Sequence, residues 1–446
     1  MTFAAGGGSV GRRDAWYHKP DVRRLGASLG VGLVLALVTG KDGRSGHFGS
    51  GIAAALGGVR VPSFLAVGLA LWGVATGINR YGDEMRRALA PATAARKRVT
   101  GNATFRTTSL LVMLVVAIGI PPMLSSFWQG VLVEQVGIFM LLAVGLNVVV
   151  GWAGLLDLGY IAFYAIGAYT TAYFTGTLPV QPPIVLNPFL CFPLAVLACL
   201  LAGVLLGAPT LRLRGDYLAI VTLGFGEIVR IVANNSDGIT NGSRGATNIP
   251  HFSIHLLGIN YDWTLNSLPY WYLIMVVLAV VVLLFFRLEH SRIGRAWAAV
   301  REDEVAAQAS GVATVKIKLL AFAIGASTSG LAGVIYASKI GFISPDNFLL
   351  ILSISVLAYV VFGGMGSLFG VMVGAALLTW LPQFLRDYVP ATDRNLYIGA
   401  ILVLMMIFRP AGLLPARRRR TELSLHDIPE AETVAVPAPG SMGGSI

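Results

Sequence analysis

The residues equipped for chemistry in this chain are few and widely spaced. The stretch "EDEVAAQASG" (302–311) sets Glu302, Asp303 and Glu304 ahead of a run of small residues and closes on Gly311. Carboxylates favour the positive end of a helix dipole, and glycine permits the left-handed residue that ends a helix. The pattern predicts a short capped helix with Val305, Ala306 and Ala309 as a shallow apolar face. Two readings fit it: a solvated connector, or a knob that docks into another protein's groove.

Glu227 and Arg230, in "AIVTLGFGEIVRIV", lie three apart and so share one helix face inside an apolar run. Charge at membrane depth is costly, so each must face protein or water. Either the pair neutralises itself near the outer interface, or it touches the amino and carboxyl groups of a passing zwitterion. Asp157 follows a glycine break and is a candidate for the entrance to a path. Glu134 lies early in an apolar run and reads as snorkelling to the outer surface, with no assigned role.

His251 and His255 in "HFSIH" have ligand spacing only on a helix, and no third ligand lies nearby, so a surface pair is expected. No Ser-His-Asp or Cys-His arrangement can be placed, and no catalytic centre or metal site is expected. Cys191 and Cys199 are eight residues apart, about 12 Å along a helix, which excludes a bond between them. There is no GxxxxGK[ST] loop, so this chain lacks the usual phosphate cradle.

The elements that must position these residues are membrane spans. Of 446 residues, 55% are hydrophobic and only 12% charged, against about a quarter charged in soluble domains. Apolar windows long enough to cross a bilayer fall near 25–40, 61–79, 107–124, 131–150, 158–176, 188–208, 217–234, 270–286, 318–338, 350–364, 366–383 and 396–409. Ten to twelve segments are expected, some of them glycine-broken. The run at 31–38 reads as a first anchor rather than a cleavable signal, because no small-residue cleavage site follows it.

One alternation of loops places 25 of the 33 Lys and Arg on one side. That side holds the N-terminus, the 80–106 loop, Arg212 and Arg214, the 287–318 segment, and Arg409 with Arg417 to Arg420. Basic loops stay in the cytoplasm, so both termini and the 302–311 helix are expected there. The net charge of +11 is thereby explained without nucleic acid. The segment 234–262 is expected in the opposite aqueous compartment, and the Pro- and Gly-rich last residues are expected to be disordered. Three regions follow: 1–106 with two spans and a basic loop, a core at 107–416, and a tail at 417–446.

"VVVGWAGLLDLG" (148–159) and "YVVFGGMGSLFG" (359–370) echo each other, with Gly151 and Gly154 in the first and Gly363 and Gly366 in the second. Paired glycine breaks point to the translocation site of a duplicated transporter; the alternative is that glycine only lets helices pack closely.

The spacing of Glu304, Ala306, Ala307 and Gly311 resembles a loose form of the EAA loop of ABC importer permeases. Val305 occupies the first alanine position and no Leu-Pro follows. The blocks "GLNVVVGWAGLLDLGYIAFYAIGAY", "LRLRGDYLAIVTLGFGEIVRI", "GRAWAAVREDEVAAQASG", "VVFGGMGSLFG" and "MMIFRPAGLLP" resemble, in order, the branched-chain amino-acid permeases of the LivM type. The likeness covers about 107 to 416, and the N-terminal pair of spans is similar to the family's long form. It implies an all-α polytopic membrane bundle in a bacterial inner membrane. It implies a permease subunit for leucine, isoleucine and valine that works with a second related permease, two cytoplasmic ATPase subunits and an extracytoplasmic binding protein. ATP and Mg would be used by the ATPases, with no cofactor on this chain. Urea, short amides or aromatic acids are alternative cargoes, and an ion-coupled carrier using Asp157 or Glu227 is the alternative class.

Overall fold

The computed structural model describes residues 117–210, 216–256, 259–387, 391–409 and 411–414. The chain separates into two compact units, Met1–Val116 and Ala117–Ile446, and all described residues lie in the second. The expected spans at 25–40 and 61–79, most of 107–124 and the tail at 417–446 lie outside the described residues.

Eleven helices of six residues or more carry the described fold. They are α1 (Ser126–Trp152), α2 (Ile161–Phe174), α3 (Pro188–Thr210), α4 (Asp216–Asn235), α5 (Ser267–Glu289), α6 (Arg292–Glu302), α7 (Glu304–Ala309), α8 (Thr314–Ile340), α9 (Leu350–Gly363), α10 (Leu368–Phe384) and α11 (Ala391–Phe408). Among the described residues, seven helices are long and apolar enough to cross a membrane. The protein is a polytopic helical bundle.

Two helices form its centre. α1 and α8 are each 27 residues long and are the most enclosed of the spans. α1 is wound unevenly, with π-helical turns at Leu132–Gly137 and Val148–Trp152. α8 carries Gly325, Ala326, Ser329, Gly330, Gly333 and Ala337, a spacing that puts small residues where neighbours approach. A methyl group at Gly167 of α2 would lie 2.6 Å from the Gly330 carbonyl oxygen, and one at Gly330 would lie 2.7 Å from Cys199 Sγ of α3. Backbones therefore touch where glycine allows it. The peripheral helices α3, α4 and α5 instead turn Leu205, Ile220, Val276 and Leu283 outward, as lipid-facing helices do.

The expected runs at 158–176 and 366–383 fold as unbroken helices from Ile161 and from Leu368. The glycine breaks fall before them. After α1 the chain runs without regular structure through 153–160. There Leu158 N–H donates to Thr222 Oγ1 of α4 (3.1 Å), and Ile161 N–H donates to Ser353 Oγ of α9 (3.0 Å). Helix α2, at 14 residues, is about 21 Å long and too short to span by itself.

At the opposite end, 234–256 and 259–262 form a small cap. Strand β1 (Ala246–Thr247) pairs antiparallel with β4 (Phe342–Ile343), and β2 (Ser253–Leu256) pairs with β3 (Ile259–Asp262). Phe252, fully buried, anchors it against Phe189, Phe192, Trp263 and Tyr270. Strands of two to four residues show no sequence period, so the polar segment hid this fold.

Candidate functional site

The short helix expected at 302–311 is present, with its start moved. Glu302 is the last residue of α6, not part of the next helix's first turn. Asp303 is extended (φ −153°, ψ 113°) and caps α7, its Oδ1 accepting from Val305 N–H (2.8 Å) and Ala306 N–H (3.0 Å). The three acids therefore part: one closes a helix, one caps the next, and Glu304 opens it. Gly311 has φ +86°, the left-handed region glycine tolerates. Val312 N–H reaches Ala307 O and Gly311 N–H reaches Gln308 O, both at 3.0 Å, completing a Schellman closure.

α7 stands out from the bundle. Val305 is 61% exposed, Ala306 and Ala309 are exposed, and a side chain at Gly311 would meet nothing among the described residues within 4 Å. Ala307 turns inward and is buried, so it anchors the knob rather than presenting a face. Glu304 forms an ion pair of 2.6 Å with the buried Lys318 of α8.

This knob is tied to both glycine breaks. Arg301, at the end of α6, donates from Nη1 to the Gly151 carbonyl, and its Cβ and Cγ lie against Gly154, which has φ +71°. Trp297 of α6 stacks on Trp152 at 6.0 Å between ring centroids and 24° between planes, and its Nε1–H donates to Ile317 O (2.7 Å). Trp152 Nε1–H donates to Gly366 O (3.2 Å), and Gly366 N–H donates to Asn147 Oδ1 (2.8 Å). Gly363 packs backbone to backbone on Gly370, so the second break is a tight α9–α10 hairpin. The echoing units at 148–159 and 359–370 thus meet at one end of the bundle, beside the knob.

Asp157 is fully buried. Its Oδ1 accepts from Gly159 N–H (2.9 Å), while Oδ2 has no hydrogen-bond partner among the described residues. Glu227 and Arg230 are not part of the junction; they lie on α4, joined through Arg230 Nε and Nη2 to Glu227 Oε1 (3.0 and 2.5 Å). His251 is half-buried, and its Nδ1 lies 2.7 Å from Ser338 O and 3.1 Å from Tyr270 Oη. Cys191 and Cys199 are buried free thiols. Asn147, Trp152, Trp297, Arg301 and Lys318 are not singled out by the sequence. Arg301 stands next to the acidic triplet and reads there only as a loop charge.

A bundle of long apolar helices, held by glycine contacts and carrying paired breaks beside an exposed knob, is a membrane transport permease in class. The chain belongs to the family described as branched-chain amino acid transport system / permease component, whose profile matches residues 131–409. It is 42% identical over 336 residues to the high-affinity branched-chain amino acid transport system permease protein LivM of Salmonella typhimurium, covering 70% of this chain and 76% of that one. The probable LivM of Methanocaldococcus jannaschii is 24% identical over 321 residues, 63% of this chain and 91% of that one. LivH of Escherichia coli, another permease protein of such a system, is 28% identical over 155 residues, 35% of this chain and 50% of that one. No solved structure matches the chain.

Proposed function

We propose that this chain is one permease subunit of an ATP-driven importer carrying leucine, isoleucine and valine into the bacterial cytoplasm. It sits in the inner membrane with both termini cytoplasmic, beside a second related permease. Two cytoplasmic ATPase subunits, which use ATP and Mg, dock on α7, and an extracytoplasmic binding protein delivers the cargo. The likeness to LivM supports the cargo, and the likeness to LivH supports a related partner.

One observation carries the mechanism: the exposed, capped knob is hydrogen-bonded through Arg301 to the first glycine break, which is bonded in turn to the second. Closure of the ATPases pushes α7. The Arg301 guanidinium and the Trp297–Trp152 stack pass that displacement to Gly151 and Gly366. Helices packed through glycine then rock as rigid bodies between outward- and inward-open states.

The orphaned Asp157 carboxyl oxygen favours a second reading, a carrier coupled to an ion gradient. Uptake by membrane vesicles separates the two. Loss of leucine uptake on ATP depletion, with little effect of an ionophore, supports the importer; the reverse pattern overturns it.

A further inference from the structure

We infer that Glu227, Arg230 and Asp346 form an intramembrane subsite that holds the ammonium and carboxylate groups of an amino acid on its way through. This rests on the transport reading and places the cargo within it.

Depth is the first argument. α4 runs from Asp216 to Asn235. Glu227 and Arg230 therefore lie about 17 Å and 21 Å along a helix of about 30 Å. The turn Pro345–Phe348 descends to meet them. Phe348 packs on Tyr164 (5.3 Å) and Tyr169 (6.1 Å), in the first two-thirds of α2 rather than at its Phe174 end. α9 starts below that turn and is only 14 residues long. Asp346, in that turn, sets its carboxylate 3.6 Å from Arg230 Nη1.

Exposure is the second. The side chains of Arg230, Glu227 and Asp346 are 23%, 37% and 78% exposed. Charged groups open to their surroundings at this depth are unstable against hydrocarbon, so the face they share is wet. Space lies beside them, since a methyl at Gly224, one turn below Glu227, would touch nothing among the described residues within 4 Å.

The chemistry matches a zwitterion. Two carboxylates around one guanidinium leave an excess negative charge for an α-ammonium. The Arg230 guanidinium, whose Nη1 lies 3.6 Å from Asp346, can turn a fork toward an α-carboxylate. Ile231 on the same helix and Leu349 beside Asp346 are exposed and supply apolar surface for a branched side chain. A pair needed only for its own neutrality would not require the third charge.

The test uses cells in which each variant replaces the native chain, with the amount of chain in the membrane measured alongside uptake of radiolabelled leucine. Asp346→Asn, at an exposed position, should reach the membrane normally and lower leucine uptake about tenfold, the scale of one charge-assisted hydrogen bond. Exchanging the pair (Glu227→Arg with Arg230→Glu) should restore membrane levels but not uptake. Asp346→Cys should react from outside with a charged, membrane-impermeant thiol reagent, and leucine should slow that reaction. Uptake within twofold of the native chain for Asp346→Asn, or full uptake by the exchanged pair, overturns the subsite. So does an Asp346→Cys variant whose thiol fails to react, which would mean a second permease seals this face. Because each readout compares variants with the native chain, it stands whether or not native uptake needs ATP, so the subsite and the importer reading fail separately.

Discussion

The guanidinium of Arg301 donates to the carbonyl of Gly151, across 150 positions of sequence. The contact joins a helix that lies outside the spans to the point where α1 loses its regular winding. Gly154, at φ +71°, leaves room for the Arg301 stem. One side chain thus bridges the exposed knob and the first break, and the Trp297–Trp152 stack runs parallel to it.

Arg301→Ala should leave the chain in the membrane and lower leucine uptake about tenfold, since a charged donor to a partly buried carbonyl is lost. Arg301→Lys, with a single point charge and no fork, should recover only part of it. Uptake per unit of membrane-inserted chain, measured for both, checks the strut.

Gly311→Val should separate hydrolysis from transport. Nothing crowds a side chain there, but a β-branched residue at φ +86° costs on the order of 1–3 kcal/mol and loosens the closure of α7. Insertion should be normal, while cargo-stimulated ATP hydrolysis by the assembled complex and leucine uptake should no longer rise together. Native values of both in this variant would remove α7 from the mechanism.

The Glu304–Lys318 pair should fix the knob to α8. Glu304→Gln leaves the Lys318 ammonium, 5% exposed, without its carboxylate. A double-mutant cycle with Lys318→Met should give a coupling of about 1–2 kcal/mol in thermal unfolding of the detergent-solubilised protein. Additive effects would mean that the pair does not hold α7.

Gly167→Ala should destabilise the bundle by about 1–3 kcal/mol, because its methyl group meets backbone that cannot rotate away. Gly238→Ala, with nothing among the described residues within 4 Å, is the matched control. A drop in melting temperature confined to the first variant is expected.

The chain's apolar runs were legible because bilayer thickness imposes them locally, one segment at a time. The closure of α7 was legible for the same reason: Asp303, Glu304 and Gly311 act on backbone within a turn of themselves. Glu302 went astray because three consecutive acids all suit a helix start, and only the extended backbone at Asp303 shows where α6 stops. Everything that links elements needed the tertiary structure. Nothing near Arg301 in sequence names Gly151, and nothing near Arg230 names Asp346. Local rules place each residue on its own helix. Which helices approach, and at what depth, is decided by how glycine contacts such as Gly167 on Gly330 let backbones close, a property of two segments at once.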